Sequence, residues 1–215
     1  MDFQSAYTPD HLSFLFQGFG LTLWLAFLAI IFSFLLGCVL GIVRYAKVPV
    51  VSPILTIFVE TVRNLPLLLL ILFARFGLPE LGISFTPFWA AIVALTVFEA
   101  ALISEIVRSG LNSVDKGLLE AGRSSGLTYV QTLKHIVLPI GLRRMVPPMV
   151  SQFISLLKDT SLVVIISIAE LMHNANIVMG QDPDIVFPIL ILVAALYFAI
   201  NYTLSVLARR LEVRV

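Results

Sequence analysis

The sequence predicts an all-α membrane protein that crosses the bilayer five times. Two observations carry this. Of the 215 residues, 59% are hydrophobic and only 13% charged, and the mean hydropathy is +1.02. No soluble globular domain needs that much apolar surface. The apolar residues also come in long continuous runs, not in the short alternating segments of a membrane β-barrel. The same composition argues against other classes. A net charge of +1 makes no case for nucleic acid. Cys38 is the single cysteine, so an internal disulfide is excluded. His11, His135 and His173 are scattered and lack metal-ligand spacing. There is no phosphate-binding P-loop, no Rossmann glycine pattern and no nucleophile elbow. The chain is therefore expected to hold no cofactor or metal and not to hydrolyse ATP alone. Its first residues, MDFQSAYTPD, lack the basic segment of a typical signal peptide.

Each span has its own signal. Residues 12–43 carry no charge and, at about 1.5 Å per residue, exceed the roughly 30 Å hydrocarbon core. Gly37 and Gly41 form a GxxxG face there, suited to close helix contact. Arg44, Lys47, Pro49 and Pro53 make a short basic loop. The second span, about 53–76, carries Glu60 and Arg63 three apart on one face, and Pro66 should kink it. Residues 77–87 read as a loop with Pro79, Gly82 and Pro87 as breakers. The third span, about 88–111, begins apolar and gathers Glu99, Glu105 and Arg108. Glu99 lies deepest, and an intramembrane carboxylate is costly unless it faces a cavity or a partner. The fourth span, about 145–168, should be broken or kinked by Pro147 and Pro148 and holds Lys158, Asp159, Thr160 and Ser161 in its middle. Four consecutive polar residues cannot share one helix face, so some must line a cavity, cap a broken helix or meet another subunit. A structural Lys158–Asp159 interaction is the plainer alternative. Residues 170–184 read as a polar loop, and 185–208 as the fifth span before Arg209, Arg210 and Arg214.

Charge sets the orientation. Arg44, Lys47, Arg108, Lys116, Arg123, Lys134, Arg143, Arg144 and the three final arginines fall on one side. The N-terminal tail and the loops near Gly77 and Glu170 hold acids and no Lys or Arg. The basic side is cytoplasmic, with the N-terminus outside and the C-terminus inside. Arg75, near the outer end of the second span, is the exception and is assigned to the interface.

The longest polar interruption falls on the cytoplasmic side, at about 112–138. Within it, Gly126 can take a positive φ and stop a helix. Thr128 and Gln131 have capping-box spacing, so a second helix starts there. The expected result is two short helices around a tight turn. Ala121, Gly122 and Gly126 carry almost no side chain, so another protein can approach the backbone, with Glu120, Arg123 and Lys134 on the rim.

The order Glu120-Ala121-Gly122, then Gly126, then Ile136, Leu138 and Pro139, reads E-A-G-x3-G-x9-I-x-L-P. It resembles the cytoplasmic signature of the membrane subunits of ABC importers. The Glu60–Leu68 run, the Glu105/Arg108 pair and the K-D-T-S-L run from Lys158 are similar to the polar amino-acid permeases of that superfamily, the histidine/glutamine/glutamate type. Asn64-Leu65 stands where that family has Gly-Thr, and Gly122 and Ser104 stand where Ala is commoner.

The resemblance implies a type I ABC importer transmembrane-domain fold, with 1–215 as one permease domain in the bacterial plasma membrane. It also implies a second permease protomer, identical or homologous, and an extracytoplasmic solute-binding protein. A cytoplasmic ABC ATPase subunit, which binds the ATP and Mg, would dock on the signature loop. Glutamate, aspartate or glutamine is the implied cargo. Glu60, Arg63, Glu99 and Lys158–Ser161 are the groups available to a zwitterion crossing the membrane, with Lys158–Ser161 ranked first and Glu99 second. A passive channel and a structural membrane subunit remain the alternatives, and neither requires the signature.

Overall fold

The computed structural model describes residues 1–212, with side chains through Ala208, and its backbone is almost wholly helical. Arg214 lies outside the described residues, as do the side chains of Arg209 and Arg210.

A one-turn helix, Phe3–Ala6, is capped by Asp2 and tied by the Asp2 N–H to the Asp184 carbonyl at 3.0 Å. Helix α1 (Pro9–Tyr45) follows, with Thr8 accepting from the His11 N–H at its start. Its 37 residues overshoot the bilayer core, as expected. A tight link bends through positive φ at Lys47 and Val50 into α2 (Val51–Asn64).

The second span departs from a simple kink. Between α2 and α3 (Leu67–Glu80) the chain turns by 106°. Leu65 is forced extended by the proline after it, and Pro66 has no N–H to continue the ladder. Gly77, expected in a loop, lies within a wide π turn at Phe73–Gly77, and the helix runs on to Glu80.

Helix α4 (Pro87–Asn112) sits at the centre, against α1, α2, α3 and α6. It runs parallel to α1, and the GxxxG face is the seam between them. A Cβ on Gly37 would stand 2.6 Å from the Ile103 Cβ; one on Gly41 would stand 2.6 Å from the Val107 Cβ and 2.7 Å from the Ser104 carbonyl oxygen. The backbones approach because neither glycine has a side chain. Gly41→Leu is therefore expected to destabilise the purified protein by about 1–3 kcal/mol or more, read as a lowered thermal midpoint in detergent. An unchanged midpoint would remove the seam from its role.

Helix α5 (Lys116–Ser124) lies at the end of the bundle opposite the N-terminus. Helix α6 (Tyr129–Ile166) then runs unbroken through three prolines, where the sequence suggested a start near Met145. A π turn at Leu133–Val137 widens the backbone just ahead of Pro139, making room for its ring. Residues 160–166 tighten into a 3-10 turn. The region read as an outer loop contains α7 (Leu171–Met179), capped by Glu170. Helix α8 (Val186–Glu212) closes the described chain. Helices α1, α4, α6 and α8 are each long and apolar enough to cross a membrane, and the bent α2–α3 pair is long and apolar enough to do so when taken as one broken span.

Candidate functional site

The signature loop is a compact two-helix element. Asp115 caps α5 by accepting from the Gly117 N–H at 2.6 Å. At the other end, the Leu127 N–H donates to the Gly122 carbonyl at 3.2 Å and the Gly126 N–H to the Arg123 carbonyl at 3.0 Å. Gly126 has φ +87°, the left-handed conformation this pair of bonds requires. The capping box then forms in full: the Gln131 N–H donates to Thr128 Oγ1, and the Thr128 N–H donates to Gln131 Oε1.

Gly122 has a different task from the one its size suggested. It is buried, and a Cβ there would stand 2.6 Å from the Ile136 Cδ1 and 3.3 Å from the Thr132 Cγ2. Two signature residues thus lock α5 onto the start of α6. Glu120, Ala121, Gly126 and Pro139 are exposed, together with Leu118 and Val130, while Leu138, also exposed, borders an apolar cavity with Phe34 and Met145. An exposed apolar surface of this kind, rimmed by Glu120, Arg123 and Lys134, is suited to another protein.

A second cluster lies between α1, α2 and α4, toward the same end. Its hub is Arg44, whose side chain is only 3% exposed. Arg44 Nη1 donates to Ser104 Oγ and to Glu105 Oε2, each at 3.1 Å, and Nε donates to Thr56 Oγ1 at 3.3 Å. Glu105 also accepts from Arg108 and lies 3.6 Å from Arg63. Arg63 pairs with Glu60 at 3.4 Å, as their spacing predicts. Five charges on three helices are thus joined around one carboxylate. Arg44, expected in a basic loop, lies in the last turn of α1. It stands seven residues beyond Gly37 and three beyond Gly41, on the very face that packs against α4.

Glu99 is fully buried on α4. Its Oε2 accepts from the Gln152 side-chain amide of α6 at 2.9 Å, and its Oε1 has no hydrogen-bond partner. A lone amide inside the apolar run of α6 was the missed signal for this contact. Gln152 in turn lines a cleft of about 410 Å³ with Arg63, Glu105, Ser109, Ser113 and Arg144. The cleft brings the charged cluster and the partner of Glu99 to one space.

The Lys158 segment is organised differently. Thr160 is buried and its hydroxyl donates to the Leu157 carbonyl at 2.7 Å; the Ser161 hydroxyl donates to the Lys158 carbonyl at 2.8 Å. Both hydroxyls are spent where the α-helix ends and the 3-10 turn begins. Lys158 is exposed and Asp159 half-buried, and among the described residues no ion pair joins them. On the outer side, the buried Glu170 accepts from the Met172 and His173 N–H groups at 2.9 and 2.7 Å and from Thr22 Oγ1 at 3.4 Å. Burial holds its carboxyl above the ordinary carboxylate range.

Residues 33–215 match the family model described as the binding-protein-dependent transport system inner membrane component. The chain is 61% identical over 216 residues to the probable glutamine ABC transporter permease protein GlnP of Bacillus subtilis (strain 168), covering 100% of this chain and 99% of that one. It is 34% identical to the glutamine transport system permease protein GlnP of Escherichia coli (strain K12), over 93% of this chain and 92% of the other. Its fold superposes on the crystal structure of an amino acid ABC transporter with histidines at TM-score 0.92, with 29% identity and coverage of 100% and 99% of the two chains. The methionine ABC transporter MetNI, inward-facing, gives a TM-score of 0.74 at 23% identity, a likeness of fold.

Proposed function

We propose a glutamine importer on one premise: the chain belongs to the family of binding-protein-dependent transport system inner membrane components. It is a multi-pass membrane permease of an ABC importer for polar amino acids, and it is not itself an enzyme. The observation that supports glutamine is the 61% identity, end to end, with a probable glutamine permease. Glutamate and aspartate, which the charged groups also admit, are the competitors.

In this reading the permease works with a second permease protomer and a cytoplasmic ATPase subunit that binds the ATP and Mg. An extracytoplasmic solute-binding protein delivers glutamine. The ATPase seats on the exposed face of the 120–139 element. Because Gly122 and Ile136 lock α5 to α6, a push on that face moves α6 as a lever. The movement reaches α4 through their shared packing and changes access to the cleft beside Gln152.

The test is ATP hydrolysis by the permease–ATPase complex in lipid, with the binding protein and a panel of amino acids. Stimulation by glutamine supports the reading. Stimulation by a basic amino acid alone retains the importer and sinks the substrate, and passive leak without nucleotide restores the channel.

Glu99 is the group on which we place substrate contact first, ahead of Lys158–Ser161. Its Oε1 is buried without a donor, and a substrate ammonium or amide would supply one. Glu99→Gln keeps shape and the Gln152 neighbour while replacing the carboxyl by an amide. We expect its thermal stability to be unchanged or higher and its glutamine-stimulated transport to fall by about tenfold, the scale of one lost hydrogen bond. Full transport by this variant would remove Glu99 from the pathway.

A further inference from the structure

Two cavities share Leu111 in their linings. The first, about 190 Å³, is apolar throughout and lined by Phe34, Cys38 and Ile42 of α1, Leu111 of α4, and Leu138 and Met145 of α6. The second, about 310 Å³, lies beyond it at the end carrying α5, and is lined by Tyr45, Lys47, Asn112, Lys116 and Tyr129 with Leu111. Phe34, Cys38, Ile42 and Tyr45 follow one another at i, i+4, i+8 and i+11, a single stripe along α1. At about 1.5 Å per residue the stripe is ~16 Å long, close to half of the roughly 30 Å hydrocarbon core. The Phe153 ring meets Phe34, the deepest residue of the stripe, edge-on at 6.2 Å. Taken end to end along this stripe, the two cavities make a slot about one leaflet deep, apolar below and basic at the mouth.

The mouth is unspent. Lys47 and Lys116 are exposed, and among the described residues neither joins an ion pair. Asp115, the neighbouring acid, has its Oδ1 on the Gly117 N–H at 2.6 Å, capping α5. The Tyr45 and Tyr129 phenols and the Asn112 amide add donors beside the two ammonium groups. By charge this is the cytoplasmic side, where the leaflet surface is anionic.

We propose that this slot binds an anionic glycerophospholipid, with one acyl chain along the α1 stripe and the phosphate between Lys47 and Lys116. The headgroup bridges the α1–α2 link and the first residue of α5. It ties the 120–139 element to the membrane surface. Each lysine near such a surface contributes about a fivefold preference for the anionic lipid, and the two together about 30-fold.

The permease–ATPase complex, stripped of lipid in uncharged detergent, is titrated with phosphatidylglycerol or phosphatidylcholine and bound lipid is counted by native mass spectrometry. We expect phosphatidylglycerol to be preferred by roughly 30-fold. Lys47→Gln/Lys116→Gln abolishes the preference, while Lys47→Arg/Lys116→Arg retains it. If the double glutamine variant fails to assemble, Lys47→Gln alone still loses about fivefold. Cys38→Trp fills the slot and loses the bound lipid with both lysines intact. Equal binding of the two lipids, or a preference that survives in the glutamine variants, overturns the proposal. So does a preference that appears only once the ATPase is removed, since the pocket is then part of a protein dock.

Discussion

Glu120→Arg is expected to cut ATP-coupled transport by about 100-fold and to weaken ATPase docking to the same extent, with no loss of thermal stability. Glu120 is exposed and, among the described residues, makes no ion pair, so the fold does not depend on its charge. Its reversal acts only where a partner surface meets it. Like charges brought together across an interface cost several kcal/mol, and about 1.4 kcal/mol is tenfold in affinity. Gly122→Leu breaks the same coupling from inside. Its side chain collides with Ile136 and Thr132, so α5 separates from α6, and here thermal stability falls as well. The pair of variants separates a docking surface from the lever beneath it. Co-purification with the ATPase and a thermal melt distinguish them. If Glu120→Arg transports normally with its ATPase bound, the assignment of the 120–139 element to coupling is wrong.

The difference between these two residues shows what could be read from the chain. Gly126 and the Thr128/Gln131 box were legible because caps and turns are local: the residues that make them are three to five apart. The spans were legible because the bilayer imposes their length. Gly122 was legible as a small residue, but not as a buried one. Its neighbour Ile136 lies across a turn whose angle no local rule fixes. The 106° turn at Leu65–Pro66 was placed correctly and underestimated. A proline marks where a helix can break, and packing decides how far. Helix α6 shows the reverse case. Pro147 and Pro148 looked like interruptions, yet the helix continues through them and through Pro139, because a π turn and neighbouring helices absorb what prolines cost. Polar residues in the membrane were identified as a class, while their partners were not. Gln152 and Arg44 come from helices distant in sequence from Glu99 and Glu105.

That last pairing carries the largest stability effect. Glu105→Leu is expected to cost about 3–5 kcal/mol, because it takes from the buried Arg44 guanidinium its hydrogen-bonded counter-ion and leaves only the half-exposed Glu60 near it. Ser104 and Thr56 would still accept from it, but hydroxyls do not neutralise a charge, and Glu60 stands 3.9 Å away. Arg44→Met is expected to cost less, about 1–2 kcal/mol. Glu105 is 23% exposed and keeps Arg108 and Arg63, so its charge remains compensated. The double variant should be more stable than Glu105→Leu alone, since apolar replacement of both partners removes the orphaned charge. Arg63 and Arg108, 32% and 38% exposed, can turn to water in its absence. Thermal melts of the three variants in one detergent decide the order. Should Arg44→Met prove the most damaging, Arg44 is holding α1, α2 and α4 together by packing and hydrogen bonds, and the charge balance around Glu105 is secondary.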